Sequence, residues 1–259
     1  MISSKNTAPS EQRYYTDLSA SSLKKEDIIK GLNFKPLWLT GFIDGVISNQ
    51  KRFYKIAAHR IPNNEIPSDL KSILIGLLLG DLYCQKSTPN SNCRLRFEQG
   101  IVHKDYLNHL YNLFSNFCSS EPKINQRLPD KRTGKIYSNI YFNTMTLPIF
   151  NEFHDLFYPD GIKIVPKNIE NLLTVPGLAY WAMDDGMKFE NGFVFYTDSC
   201  TLEEVKLLVK VLQNKFGLKC GSKIRKKDVY RIYIWKESMN KFIDLVQPHF
   251  HESMLYKLK

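Results

Sequence analysis

Between residues 68 and 259 one order of elements occurs twice. The first pass begins with an apolar helix ending near Asp81. It continues with an alternating strand at residues 94–98 and an amphipathic helix carrying Tyr106, Leu107, Leu110, Leu113 and Phe114. A hairpin turning at residues 130–134 returns through residues 136–142, and a helix with Phe150, Phe153 and Leu156 closes the pass before Lys163. The second pass has an apolar helix ending near Asp185, a strand at residues 193–196, and a helix with Val205, Leu208, Val209, Leu212 and Phe216. A hairpin turning at residues 226–228 and a helix with Phe242, Leu245 and Val246 follow, then Lys257. A repeat of this length means two related domains, at residues 68–166 and 167–259, behind an extension at residues 1–67 that is expected to be partly disordered. The connection at 166–177 is short, so the domains are expected to pack face to face with pseudo-twofold symmetry.

Composition excludes several classes. A hydrophobic fraction of 43% with 13% aromatics is too high for a disordered chain. The longest near-unbroken apolar run, residues 73–80, is far short of the roughly 20 residues a bilayer requires, so no membrane partner is expected. The first residues lack a basic-then-apolar pattern, and secretion is not expected. The formal charge of +10 suggests a polyanion partner, and residues 201–259 hold 13 Lys and Arg against 6 Asp and Glu. Five cysteines without a CxxC pair read as ordinary thiols in a reducing compartment.

The chemistry lies where the two leading helices end. One reads Leu74-Ile75-Gly76-Leu77-Leu78-Leu79-Gly80-Asp81-Leu82 and the other Leu178-Ala179-Tyr180-Trp181-Ala182-Met183-Asp184-Asp185-Gly186. Gly76 and Gly80 share a helix face. Each costs about 1 kcal/mol inside a helix, which points to a second helix approaching closely. A carboxylate at a helix C-terminus is disfavoured by the macrodipole, and two brought together by helix packing also repel each other. A divalent cation compensates both effects. Oxygen donors without a His or Cys cluster favour Mg²⁺ (or Mn²⁺), and such a pair on a basic protein suits phosphodiester hydrolysis.

With these residues in place, the chain resembles the LAGLIDADG homing endonucleases of the single-chain, two-motif type, from about residue 68 to the end. The resemblance implies an α+β fold of two αββαββα domains, with the motif helices at the interface and two four-stranded sheets forming a saddle for double-stranded DNA. It implies that Asp81 and Asp185, at the eighth motif position, bind metal and cut one strand each. Asp184, at the seventh position, is a neighbour rather than a ligand. Lys163 and Lys257 match the family's lysines facing the active site, where they would act on the attacking water or on the phosphate charge. Gln99 matches a polar residue that orders water, and its counterpart in the second copy is taken as Asp198, a departure from the pattern. Leu82 replaces the usual glycine. Residues 38–45 resemble a motif of another branch, but Asp44 precedes Asp81 by only 37 residues, too few to head a domain.

The sheets supply the expected DNA contacts. Arg94, Arg96 and Glu98 share one strand face, as do Arg231, Tyr233 and Trp235. Arg127 and Lys135 in the first hairpin, and Lys223, Arg225 and Lys227 in the second, complete the set. Arg can read base edges and Lys contacts phosphates. His249 and His251 do not share a helix face and are not taken as a metal pair. The expected function is an intron-encoded, site-specific endonuclease making a metal-dependent double-strand cut, acting as a monomer. The alternative is an intron maturase on the same scaffold that binds host intron RNA. Family habit implies mitochondrial residence.

Overall fold

A computed structural model describes residues 65–126, 128–227 and 229–259. A short helix that the sequence pattern predicts over residues 23–33, the Asp44 segment and Arg127 lie outside the described residues. The elements run α1 (Ser68–Leu79), β1 (Tyr83–Lys86), β2 (Cys93–Gly100), α2 (Lys104–Phe114), β3 (Lys123–Gln126), β4 (Ser138–Asn143) and α3 (Asn151–Phe157). After the short α4 (Ile169–Leu172) the order recurs as α5 (Val175–Asp185), β5 (Gly186–Phe189), β6 (Gly192–Phe195), α6 (Leu202–Asn214), β7 (Cys220–Lys226), β8 (Val229–Ile234) and α7 (Met239–Val246). A 3-10 segment, Glu252–Leu258, carries Lys257.

Each half builds an antiparallel four-stranded sheet of the same order, β1-β2-β4-β3 and β5-β6-β8-β7. This is the expected α+β architecture in duplicate. The alternating strands bury one face: Leu95 and Phe97 in β2, and Ile232 and Ile234 in β8, are at most 2% exposed. The helices α2 and α6 cover those faces with Tyr106, Leu107, Leu110 and Phe114, and with Val205, Leu208, Val211 and Leu212. Their amphipathic period is what lets each lie on its sheet.

The leading helices differ because apolar residues surround them. In α1 every residue from Ile73 to Leu78 is buried, and in α5 every residue from Gly177 to Met183. Such helices belong at the centre of a core, and α1 packs against α5 there. The approach is close enough to need glycine: a Cβ on Gly76 would lie 1.9 Å from the Gly177 carbonyl oxygen, and one on Gly80 would lie 2.6 Å from Asp184 Cβ. One continuous buried cluster therefore runs through both halves.

Three local expectations change. Ser68, which the sequence pattern predicts as the N-cap of α1, does not cap it. It is the first helical residue, and Pro67 precedes it without a side-chain cap. Strand β4 starts at Ser138, two residues later than the sequence pattern suggests; residues 130–135 form a turn closed by backbone bonds between Asp130 and Lys135 and Gly134, inside which the Asp130 side chain accepts from the Arg132 and Thr133 amides. Cys84 and Cys93 are joined across β1 and β2 rather than being separate thiols, whereas Cys118, Cys200 and Cys220 are free. Among the described residues no helix is long and apolar enough to cross a membrane.

Candidate active site and nucleic-acid interface

Helix packing brings the ends of α1 and α5 together. Asp185 is the last residue of α5, and Asp81 lies two residues past the end of α1. Asp184 joins them from the interface. It occupies the space left by Gly80, accepts from the Asp81 amide at 3.3 Å, and accepts from the Tyr106 hydroxyl at 2.9 Å. Burial, followed by the charges of Asp81 and Asp185, holds the Asp184 carboxyl well above the usual carboxylate range. Burial and the Asp81 charge push Asp185 up to about 7, against the opposing pull of Lys163 and Lys257 and a hydrogen bond with the Trp181 side chain. Three carboxyls at one place, two of them costly to ionise, make a site short of positive charge.

Both lysines lie here, one for each helix end. Lys163 Nζ donates to the Gly80 carbonyl at 2.5 Å and to the Leu82 carbonyl at 3.4 Å. Lys257 Nζ donates to the Met183 carbonyl and, at 2.9 Å, to that of Asp184. A cation at a helix C-terminus is favoured by the macrodipole, so each lysine offsets the local cost of its aspartate. Burial makes both ammonium groups more acidic, while the three aspartates act in the opposite direction. An ammonium has three donors; two are used in each case, and one remains for a ligand.

Gln99 donates to Asp81 Oδ2 at 3.0 Å, so it too belongs to this cluster. Its counterpart is not Asp198. Tyr83 pairs with Arg96 and Met187 with Val194, which makes Arg96 and Val194 equivalent and Gln99 equivalent to Thr197. Thr197 is buried and donates to the Tyr230 carbonyl at 2.8 Å. Asp198 faces away, in a two-point pair with Arg231 at 2.7 and 2.8 Å. The halves are therefore unequal: Asp81 has an amide partner and Asp185 an indole.

The remaining expected residues lie on the sheets. Arg94 donates to Gln85 at 2.9 Å, and Arg96 pairs with Glu98 at 2.6 Å while stacking over Tyr141. Arg231 lies over Tyr196, and Lys223 over both Tyr233 and Trp235. Arg225 and Lys227 are exposed near the β7–β8 turn, and Lys135 is exposed in the loop before β4. None of these enters the aspartate cluster. His251 packs against His109 with centroids 4.7 Å apart, and His109 shares a 2.7 Å hydrogen bond with Tyr180.

Two residues of the site escaped sequence reasoning. Tyr106 reads as one more apolar position of an amphipathic helix, and Trp181 as a core aromatic. Their partners come from packing, and their spacing carries no signal.

The model of the LAGLIDADG DNA endonuclease family matches residues 71–242. The chain belongs to that family. The LAGLIDADG chain is 34% identical over 200 residues to the cytochrome b mRNA maturase bI2 of Debaryomyces hansenii, covering 76% of each. It is 30% identical over 216 residues to a probable intron-encoded endonuclease 1 of Wickerhamomyces canadensis, covering 76% of this chain and 91% of the relative. Among solved structures it resembles the homing endonuclease I-WcaI bound to its DNA recognition sequence. That match has a TM-score of 0.71 and 29% identity, over 76% of this chain and 88% of the other. The two sheets and paired motif helices are thus the LAGLIDADG fold in single-chain form.

Proposed function

We propose that this chain is an intron-encoded homing endonuclease that cuts both strands of a specific double-stranded DNA site, with halves at residues 68–166 and 167–259. The reading rests above all on the meeting of Asp81, Asp184 and Asp185 at the ends of α1 and α5, with Lys163 and Lys257 beside them. The pair Asp81 and Asp185 fits a hard divalent cation: both are oxygen donors, and Asp185 is held above its ordinary range by burial and the Asp81 charge. Asp81 and Asp185 would hold Mg²⁺ (or Mn²⁺), and the cation would supply water activation and stabilise the leaving oxygen. Gln99 orients the Asp81 carboxylate, and Trp181 restrains that of Asp185. The free donor of each lysine is placed to stabilise negative charge developing on the scissile phosphate. Arg94, Arg96, Lys223, Arg225 and Arg231, with Tyr233, contact the duplex across the two sheets, and Lys135 and Lys227 reach phosphates.

Asp81→Asn and Asp185→Asn proteins are expected to bind the intronless target and leave it uncut, measured by gel shift and by magnesium-dependent cleavage. Full cutting by either variant overturns the reading. The maturase among the relatives supports a second activity, binding of host intron RNA. A splicing assay with the Asp81→Asn protein separates the two, because RNA folding does not need the cleaving acid. Both readings favour an organelle, most simply the mitochondrion, as the site of action, since the relatives include a cytochrome b mRNA maturase and an intron-encoded endonuclease.

A further inference from the structure

The two sheets, identical in topology, carry different chemistry on the faces turned away from the core. The register makes the comparison position by position. Where the first sheet has Arg94 and Arg96 in β2, the second has Gly192 and Val194 in β6. Where β1 has Tyr83 and Gln85, β5 has Met187 and Phe189. Where β4 has Asn143, β8 has Tyr233, with Trp235 beyond it. The first face is thus a field of guanidinium and amide groups, and it includes buried amide oxygens without a partner on Asn139 and Asn143. The corresponding part of the second face is apolar and aromatic. Met187 is 42% exposed and Phe189 43% exposed, although both belong to a regular sheet.

This patch is not spare core. It lies on the same face as Lys223 and Arg231, beside the basic β7–β8 turn, so a polyanion is the complementary partner. Nor is it built to stack on unpaired bases. The Lys223 ammonium lies 4.9 Å from the Tyr233 ring centre and 5.0 Å from that of Trp235, covering ring faces that a base would need. Phe189 meets Tyr233 edge-on at 74°. What remains open is hydrocarbon surface, Met187 and Phe189 above all, flanked by cations. In a major groove the apolar group that such a surface can meet is the thymine 5-methyl.

We propose that the two sheets read DNA by different means: the first by hydrogen bonds to base edges, the second by apolar contact with thymine methyl groups through Met187, Phe189, Tyr233 and Trp235. The half-site under β5–β8 is accordingly rich in thymine at the positions this patch covers. The inference rests on the endonuclease reading and adds the chemistry of its target.

The test uses the full chain with EDTA present, so that the duplex stays whole. Duplexes retained from a randomised library are sequenced, and each thymine is replaced by deoxyuridine, which lacks only the methyl group. Replacement in one half-site is expected to weaken binding about fourfold per contacted thymine, the effect of removing one buried methyl-sized group. Replacement in the other half is expected to leave binding unchanged. The combined Met187→Ala and Phe189→Ala change, at two exposed positions, is expected to reduce this sensitivity in the same half-site and so assign it to the second sheet. Equal sensitivity in both halves, none in either, or undiminished sensitivity in the variant overturns the proposal. Preference for unpaired RNA that the same variant removes also overturns it, in favour of a stacking platform. If no duplex is retained at all, the endonuclease reading fails first and this one with it.

Discussion

Asp184 and Asp185 are neighbours in sequence with different surroundings. Asp184 lies wholly in the interface with two donors, whereas Asp185 faces Lys163, Lys257 and the Asp81 charge. Asp185 also offers a pH signature. Its folded value of about 7 lies above the ordinary carboxylate value of about 3.9. The folded protein thus holds a proton that the unfolded chain releases. The resulting stabilisation is complete below the unfolded value and is lost as pH rises through about 7. An asparagine mimics the protonated form at every pH. In EDTA the melting temperature of Asp185→Asn relative to the parent is therefore expected to rise between pH 5 and pH 8. Magnesium at pH 8 should reverse the order by binding the ionised parent. A difference that does not move with pH contradicts this account. The candidate acids were legible at this scale because charged residues ending apolar helices are conspicuous, and the lysines only through the resemblance to the family. Tyr106 was not, since nothing local separates a core tyrosine from one whose hydroxyl meets a carboxylate 78 residues away.

At the scale of elements, the contact between α1 and α5 decides whether the site exists. It depends on backbone approaching backbone at Gly76. Gly76→Ala should stabilise an isolated helix by about 1 kcal/mol, yet here the methyl group would collide with the Gly177 carbonyl. We expect a net loss of about 1–3 kcal/mol, the usual cost of overpacking, read from the midpoint of denaturant unfolding. Cleavage should fall further than stability, because the two acids are set by this spacing. An unchanged or raised midpoint would show that the helices are not held this tightly. The paired glycines signalled the approach from sequence. The sheet register was less legible: Asp198 stands near the end of an alternating strand and is charged, which makes it a tempting partner for Asp185. The ladder shows it one residue past the equivalent of Gln99, and a shift of one residue turns a side chain to the other face. The capping box at the start of α6 is a local pattern, Thr201 with Glu204 three residues on. Glu204 also accepts from the Val165 amide at 2.7 Å, which ties the connection between the halves to α6 and which no motif announces.

Over the whole molecule, the charge of +10 is distributed unequally. The second half concentrates lysine and arginine near the β7–β8 turn, while the first half engages its strand arginines with Gln85 and Glu98. Phosphate contacts should therefore weigh on the second half. Changing Lys223, Arg225 and Lys227 together to glutamine is expected to flatten the dependence of log affinity on log salt, by up to about 0.9 for each phosphate no longer neutralised. Binding measured across a salt series checks this. An unaltered slope would place the phosphate contacts elsewhere.

The sequence alone determined that the chain is built twice, that each copy leads with a buried helix ending in an acid, and that strands alternate between a core face and an outward face. These follow from local periodicity and from repetition, both of which are properties of the chain in order. The tertiary structure decided which residues stand opposite one another. It set Gln99 against Asp81 and Thr197 away from Asp185, and it put Tyr106 on Asp184 and a lysine on each helix end. It also showed that two sheets of one topology present unlike chemistry. Contacts of this kind depend on register and on helix approach, which are settled by packing across a hundred residues and leave no mark in any single stretch of sequence.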